Sequence, residues 1–314
     1  MKKYLFLFVL FSSFTLAKEF MFPIVYNIED IRGSLDPVNR LSSYPYISGD
    51  SFRSICDFQI DEANRFFDPA RVRSGDTIFL HNHTVMLDFF FANVHPHITV
   101  PYILVSHNGD KSKFDSYKKY LDDESIVAWF GVNLTLEHKK AIPVPIGLAN
   151  KYYDYGNAVC LHDGRKKIAT IKDIMLYMNF TVRTFYTKRT YIHSLFADKS
   201  FCYDSVNNRK EYAEYVTDVT KSMFVVSPEG NGIDCYRTWE AMLLGAIPIV
   251  ETSKLNKLFD GLAVVIVDDW KKVNKLFLEK KYVQMNGKKY KTEKLFMDYW
   301  IKKIQILKDR CKKS

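Results

Sequence analysis

The sequence predicts an α/β protein with two Rossmann-like, doubly wound parallel sheets, and three observations support this prediction. First, the chain has 314 residues, which is enough for two domains of ordinary size. Second, 47% of the residues are hydrophobic and 26% are charged, as in globular proteins. Third, apolar runs typical of buried strands alternate with helical patterns in both halves of the chain.

The first half contains a strand–helix–strand unit, with strands at 76–80 and 101–106 and an apolar helix at 83–94. This order of elements is typical of a parallel sheet. Together with its neighbours the unit predicts a small doubly wound sheet, which we place in a domain over 18–160, after a loop-rich stretch at 24–46. The other elements predicted in this half are a helical segment at 51–67, a helix at 113–121, and strands at 125–130 and 141–146.

The second half begins with a crossover at 150–167 that shows no clean period. Strands at 173–180 and 223–227 and a helix at 210–220 follow, and they predict a second domain over 161–290. The last segment, 291–314, combines a helix with a basic tail. Its apolar residues recur at helical spacing, at Leu295, Phe296, Tyr299, Trp300 and Ile304.

The segment 227–250 joins an apolar strand to a loop with two glycines, a helical pattern and a further strand. Parallel α/β sheets use such a unit to direct a helix N-terminus at a ligand beyond the strands' carboxyl ends, and backbone N–H groups there attract phosphate. If Asp234 caps this helix, Arg237 lies in its first turn, where the helix dipole disfavours a cation by about 0.3–1 kcal/mol. A bound diphosphate would offset that cost through charge-assisted hydrogen bonds.

Glu240 lies three residues after Arg237 on the same helical face, and its carboxylate could accept hydrogen bonds from ribose hydroxyls. The alternative is an internal ion pair of Arg237 with Glu240, Asp234 or Glu229. The spacing of these residues leaves both interpretations open.

The residues at 227–250 resemble the nucleotide-sugar motif of the exostosin-type glycosyltransferases, and 264–270 is similar to the strand that follows it in that family. The resemblance implies a GT-B fold, in which two domains face an interdomain cleft, and an inverting, metal-independent reaction. It also implies a nucleotide-sugar donor held mainly by the C-terminal domain, and in many GT-B proteins the last helix returns to the first domain. The upstream segments that resemble relatives of the same group are 101–110, 129–133 and 143–150.

The motif and the resemblance together predict a glycosyltransferase that moves a sugar, from a donor we expect to be a UDP-sugar, to a glycan or other hydroxyl acceptor with inversion. Many retaining GT-B enzymes carry two glutamates eight residues apart. Here Gly232 stands eight residues before Glu240, which disfavours retention, although Glu229, three residues further back, could take part of the missing glutamate's role. The alternative function is a secreted, non-catalytic carbohydrate-binding protein on the same fold.

Inversion requires positive groups that stabilise the leaving diphosphate. We assign this role to Arg237 and to the loop amides near Asn231 and Gly232. Arg183 and Arg189 could assist, and the alternative for both is a solvated charge or a loop cap. The donor-binding residues predicted in full are Asn179, Glu229, Asn231, Gly232, Arg237 and Glu240.

Inversion also requires a base that deprotonates the acceptor hydroxyl. Asp110 and His107 lie in one loop just past a predicted strand, near the expected cleft, and with Arg237 they are the predicted catalytic residues. A histidine with a pKa of about 6.5 suits neutral pH, whereas an aspartate with a pKa of about 3.9 is a weak base unless it is desolvated. The alternative is that both are turn residues, with Asp110 capping a helix and His107 bonding the backbone.

We predict no catalytic metal and no cofactor, since the nucleotide sugar is a substrate. The acidic pairs at 122–123 and 268–269 have the context of helix caps, and the histidine and cysteine spacings match no zinc site. Five scattered cysteines are too few for a disulfide framework.

The net charge of +9 comes largely from lysines after residue 270. Without a basic groove interleaved with aromatic residues, this charge predicts no nucleic-acid partner. Its long-range field could instead favour anionic donors, acidic acceptors or membrane surfaces.

Residues 1–17 have the pattern of a secretory signal peptide, with Lys2 and Lys3, an apolar run of about 13 residues and small residues near Ala17. A bilayer span needs about 20 apolar residues, so we expect a membrane tether only if this signal stays uncleaved. The signal predicts export, to the lumen of the Golgi or endoplasmic reticulum, to the outside of the cell or to a bacterial cell envelope.

Overall fold

The structure of the protein is a computed structural model that describes residues 40–110, 114–169, 171–208 and 210–313. All of these residues belong to one compact unit. The predicted signal peptide at 1–17 and most of the predicted loop at 24–46 lie outside the described residues, and the predicted domain limits stay predictions.

The first sheet is fully parallel, and its five strands lie side by side in chain order. Because the order of these described strands never reverses, the double winding predicted for this sheet is wrong. All five residues of the second strand are buried, as expected for a strand covered on both faces. The strands are β1 (Phe58–Ile60), β2 (Thr77–His81), β3 (Tyr102–His107), β4 (Ile126–Val132) and β5 (Ala141–Val144).

The second sheet is also parallel, but its strand order is β10-β9-β8-β6-β7. Its strands are β6 (Ile174–Met178), β7 (Cys202–Asp204), β8 (Ser222–Val226), β9 (Ile247–Glu251) and β10 (Val265–Val267). The order reverses between β6 and β8, so this sheet is doubly wound as predicted. Open sheets of this kind bind ligands in the crevice at the carboxyl ends of the strands where the order reverses.

Eight α-helices connect or cover these strands in the described part of the chain. The second continues as a π-helical turn at Phe90–Val94, which together with it corresponds to the helix predicted at 83–94. The helices are α1 (Gly49–Ser54), α2 (Thr84–Phe89), α3 (Ala158–Arg165), α4 (Tyr186–Phe196), α5 (Tyr212–Thr220), α6 (Tyr236–Leu243), α7 (Lys275–Met285) and α8 (Met297–Cys311). Shorter 3₁₀ turns lie at Pro69–Arg71, His95–His97, Asp115–Asp122, Asp154–Gly156, Val182–Phe185, Asn256–Phe259, Trp270–Lys272 and Thr292–Leu295.

The helical segment predicted at 51–67 is wrong, because the helix there ends at Ser54 and β1 starts at Phe58. Between them Asp57 is bound to the first residue of β2. The Asp57 backbone N–H donates to the Thr77 carbonyl at 3.0 Å, and the Asp57 carboxylate accepts from the Thr77 backbone N–H at 2.9 Å. These contacts begin the pairing of β1 with β2, at a point where the spacing of apolar residues alone predicts a helix. A second difference is helix α3, which lies inside the crossover predicted at 150–167.

The last helix, α8, packs on the first sheet. Trp300 and Ile304 are buried in the same core cluster as Phe52, Ile103 and Val105. At its end, the Ser74 hydroxyl donates to the Cys311 carbonyl at 2.9 Å. The chain therefore returns to its first sheet, as the resemblance implies.

No helix among the described residues is both long and apolar enough to span a bilayer. The five cysteines, Cys56, Cys160, Cys202, Cys235 and Cys311, are free thiols.

Candidate functional site

The loop after β8 lies where the carboxyl ends of both sheets meet. Its Asp234 backbone N–H donates to the Asn133 side-chain oxygen at 2.8 Å, and the Ile146 backbone N–H donates to the Asp234 carboxylate at 2.8 Å. Asn133 directly follows β4, and Ile146 follows β5. The Asn231 side-chain amide donates to the Asp110 carboxylate at 3.2 Å, so the loop after β3 also reaches this point. The structure thus brings Asp110 next to the predicted donor loop.

Gly232 permits the close approach of this loop to the first sheet. A Cβ atom at Gly232 would lie 2.5 Å from the Asn133 side-chain nitrogen, closer than van der Waals contact allows. Asn133 is itself buried and has a φ of 53°, a left-handed conformation that asparagine tolerates better than most residues. Sequence reasoning did not assign Asn133, although its position at the end of a buried strand marks it as a residue near the sheet edge.

Asp234 was considered from the sequence as the N-cap of the helix in segment 227–250, but it does not cap this helix, α6. Helix α6 begins at Tyr236, and its N-cap is Cys235 with extended backbone and no side-chain cap. The Asp234 carboxylate instead accepts from the Cys235 backbone N–H at 3.0 Å and from the Trp239 indole N–H at 2.8 Å. Complete burial raises its pKa to about 7, while these N–H donors act in the opposite direction. The buried Asp234 carboxylate therefore joins the loop after β8 to the start of α6 and to the chain after β5.

Arg237 is the second residue of α6, so it lies in the first turn as predicted. Its Nε donates to the Asn179 carbonyl at 2.6 Å, and its guanidinium lies 5.7 Å from the centre of the Phe180 ring. Both neighbours directly follow β6, while α6 follows β8, so Arg237 lies where the strand order reverses. Its Nη1 atom is buried and has no hydrogen-bond partner among the described residues.

The internal ion pair considered as the alternative for Arg237 is not formed with any of the three carboxylates in question. Asp234 is engaged as described above, and Glu229 forms its ion pair with Lys188. Glu240 accepts hydrogen bonds from two tyrosine hydroxyls. Among the residues that the structure describes, Arg237 takes part in no ion pair. Its guanidinium therefore forms no direct salt bridge among the described residues, although its charge acts on the nearby Glu240 carboxylate.

Glu240 points into the protein and is only 5% exposed. Tyr212 and Tyr215 of α5 donate to its two carboxylate oxygens at 3.1 and 2.8 Å. Burial raises the pKa of Glu240, against the effect of these two hydroxyls and of Arg237. This geometry favours a structural role for Glu240 in holding α6 on α5, and the predicted ribose contact stays a prediction.

Arg189 of α4 is 4% exposed and donates only to main-chain carbonyls and, weakly, to a thiol. Its three carbonyl acceptors are those of Thr181 at 2.8 Å, Pro228 at 3.0 Å and Glu229 at 2.9 Å. Burial, and next the charge of Arg237, lower its pKa to about 10, so it stays cationic at neutral pH. Two guanidinium groups therefore lie beside Phe180, since Arg189 is 5.4 Å from the same ring centre. Arg183, the other candidate, is exposed.

Lys188 links two glutamates at the carboxyl edge of the second sheet, a cluster that the sequence did not predict. Its ammonium group binds Glu229 and lies 2.6 Å from the carboxylate of Glu251, the last residue of β9. All three side chains are about one-quarter to one-third exposed. The cluster adds two carboxylates and one ammonium group to the rim of the crevice.

His107 and Asp110 lie in one loop but in different surroundings. His107 is 2% exposed, its Nδ1 accepts from the Asn108 backbone N–H at 2.8 Å, and its Nε2 lies 3.1 Å from the Pro145 carbonyl. Burial lowers its pKa to about 4, so the ring is neutral, and these contacts place its proton on Nε2. Asp110 is exposed and faces Asn231. Of the two predicted bases, Asp110 has the accessible proton acceptor.

One family model matches a part of this chain. Residues 182–311 match the family model described as the RXYLT1 C-terminal domain, which is less than half of the chain. Among the curated proteins compared with the chain, none matches. The matched stretch contains Arg189, the glycine loop and Arg237, and it indicates a glycosyltransferase-related family. The matched part of the chain, which contains β7 to β10 of the second sheet but not β6, is therefore similar to a domain of a glycosyltransferase-related family.

Proposed function

We propose that the protein is a glycosyltransferase that moves a sugar from a nucleotide-sugar donor, a UDP-sugar, to a hydroxyl of a glycan or other acceptor. The reaction inverts the anomeric centre and uses no metal. The match over 182–311 and the resemblance of the 227–250 motif support the enzyme class. The surroundings of Arg237 support the donor site.

The observation that carries this proposal is Arg237 at the reversal of strand order, with no salt bridge among the described residues and an Nη1 atom without a hydrogen-bond partner. A partly buried guanidinium with an unbonded Nη1 atom loses hydration without gaining an internal partner. A diphosphate in the crevice would offer the partly exposed guanidinium charge-assisted hydrogen bonds. The nearby cationic Arg189 strengthens the attraction for an anion, because it faces no carboxylate in an ion pair among the described residues.

In the proposed reaction Asp110 accepts the proton of the acceptor hydroxyl, and the bound acceptor shields this exposed carboxylate from water, which makes it a stronger base. The acceptor oxygen forms a bond to the anomeric carbon while the bond from that carbon to the phosphate oxygen breaks on the opposite face. The electron pair of the broken bond leaves with UDP, whose charge Arg237 and the amides near Gly232 stabilise. His107 acts as a positioning residue, because its Nδ1 holds the backbone of Asn108, two residues before Asp110.

The test compares Arg237→Ala and Arg237→Lys with the wild type, by calorimetric titration with UDP and by transfer from UDP-sugars. The alanine variant should bind UDP on the order of 10- to 100-fold more weakly, as expected for the loss of a charge-assisted contact. Its turnover should fall by on the order of 100-fold or more. Lysine should restore part of the affinity but not the bidentate geometry.

Arg71→Ala is the control, since this arginine is exposed in the 3₁₀ turn at Pro69–Arg71 and was not assigned to the donor site. Its UDP affinity should stay close to that of the wild type, and thermal melting should confirm that each variant folds. Transfer that is undiminished in Arg237→Ala would refute the assignment. A wild-type protein that binds glycans but neither UDP nor any UDP-sugar would favour the non-catalytic alternative. Transfer abolished by EDTA and restored by a divalent cation would refute metal independence.

A further inference from the structure

Helix α7 packs beside the second sheet and exposes two large apolar side chains to solvent. Leu276 and Val283 are 58% and 79% exposed, and their spacing of seven residues places them on one side of the helix. The opposite side packs on the core of the second sheet through Leu278, with Tyr282 and Met285 beside it. The helix is therefore anchored by one face and presents two apolar side chains on the other.

These two apolar side chains lie in the most basic part of the chain. The segment 271–291 contains eight lysines and one glutamate, a net charge of +7 within a chain of net charge +9. Lys272 forms an ion pair with Asp268 at 2.6 Å, and the other lysines of this segment form none among the described residues. Those whose side chains are exposed are Lys271, Lys272, Lys275, Lys280, Lys288, Lys289 and Lys291.

We propose that this face, made of Leu276, Val283 and the lysines of 271–291, docks on an anionic lipid membrane. Lysines are attracted to the negative surface potential of such a membrane, with a contribution from each one. The apolar side chains between them can bury in the boundary between headgroups and acyl chains, as in interfacial amphipathic helices. An anionic membrane therefore accounts for both the exposed lysines and the exposed apolar side chains.

An acidic polysaccharide is the other class of partner that fits the charge. A polyanion gains from the lysines but offers Leu276 and Val283 no apolar phase in which to bury. The exposure of two large apolar side chains on the charged face therefore favours the membrane. This inference is independent of the proposed donor site, since the face and the crevice involve different residues.

The test measures co-sedimentation of the full chain with vesicles of phosphatidylcholine, with or without about 30% phosphatidylserine, at low and high salt. We expect binding that requires phosphatidylserine and weakens with salt. The double variant Lys275→Glu/Lys280→Glu should bind these vesicles at least about 25-fold more weakly, at about 5-fold for each lysine. Leu276→Ser/Val283→Ser should also weaken vesicle binding by about 10-fold or more, while its retention on a heparin column stays unchanged.

The matched control is Lys118→Glu/Lys151→Glu, which changes two exposed lysines on the first half of the chain. It should bind the anionic vesicles like the wild type. The segment 1–17 is common to all variants, and phosphatidylcholine vesicles measure any binding that it contributes. Equal vesicle binding by the wild type and Lys275→Glu/Lys280→Glu would overturn the proposal. So would serine variants that bind vesicles like the wild type, because the face would then recognise acidic polymers by charge alone.

Discussion

His107 illustrates at the residue scale how surroundings, rather than residue type, determine chemistry. An exposed histidine is a suitable base at neutral pH, which is the reason for its choice from the sequence. In the folded protein both ring nitrogens are engaged, and burial lowers the pKa to about 4. His81, at the end of β2, has its pKa lowered to about 4 by burial as well. Folding therefore holds both rings neutral.

This burial predicts a pH dependence of stability that His107→Gln should reduce. The pKa of the histidine is lower in the folded state than its unfolded value of about 6.5, so its contribution is complete above that value and is lost as pH falls towards 4. Between pH 7.5 and pH 4.5 the free energy of unfolding of the wild type should fall by about 2–3 kcal/mol more than that of the variant. Urea unfolding at the two pH values measures this difference. Equal losses in both proteins would contradict it.

The position of Arg237 in the first turn of its helix was predicted from the sequence and is confirmed, but the partners of Glu240 could not be predicted. The position of Arg237 follows from the local order of strand, loop and helix. The tyrosines that bind Glu240 lie 25 and 28 residues away, on a helix that packs against α6 only in the folded chain. A motif states which residues are adjacent in sequence, so it cannot show which carboxylates become buried by distant elements.

At the scale of elements, the loop after β8 is fitted between the two sheets at its glycines. Gly232 faces Asn133, and a Cβ at Gly230 would lie 2.7 Å from the Arg189 guanidinium. Strands β1 and β7 have only three residues each, most of them partly exposed, and they were missed, whereas the other eight described strands were predicted. The order of the strands was not, since the partner of β1 is decided by contacts such as Asp57 with Thr77, 20 residues away. Neither periodicity nor composition carries that information.

Gly232→Ala should destabilise the protein by about 1–3 kcal/mol, because the added methyl group forces Asn133 or the loop to move. Urea unfolding measures this cost. In an Asn133→Gly background, which tolerates the positive φ and removes the obstructing side chain, the same substitution should cost markedly less. The exposed Gly287→Asn serves as a control, since no atom lies within 4 Å of a Cβ there and asparagine tolerates its φ of 78° better than most residues. Additive costs for Gly232 and Asn133 would show that the contact does not matter.

At the scale of the whole molecule, the C-terminal helix α8 connects the end of the chain to its first sheet. Trp300 is buried between this helix and Phe52 of α1, and its indole N–H donates to the Lys294 carbonyl at 3.1 Å. In the apolar stripe predicted from the sequence, Trp300 and Ile304 mark the buried face of this helix, while Leu295 and Phe296 precede its first residue. The stripe could not show which sheet the helix covers, and the family resemblance supplied that expectation.

Trp300→Ala should lower the free energy of unfolding by about 3–5 kcal/mol, the usual cost of a large cavity in a core. Ile306→Ala, on the exposed side of the same helix, should change it by less than about 0.5 kcal/mol. Chemical unfolding of both variants measures the two values. Similar small losses for both would mean that α8 contributes little to the stability of the first sheet.

The three carbonyl contacts of Arg189 have a mechanical consequence. This one side chain joins Thr181, beyond β6, to Pro228 and Glu229, beyond β8. If one of these loops moves, the other moves with it, because separating them would leave the buried guanidinium of Arg189 without its hydrogen-bond acceptors. Arg189 therefore fixes the separation of these two loops, and the two walls of the crevice do not adjust to a ligand independently.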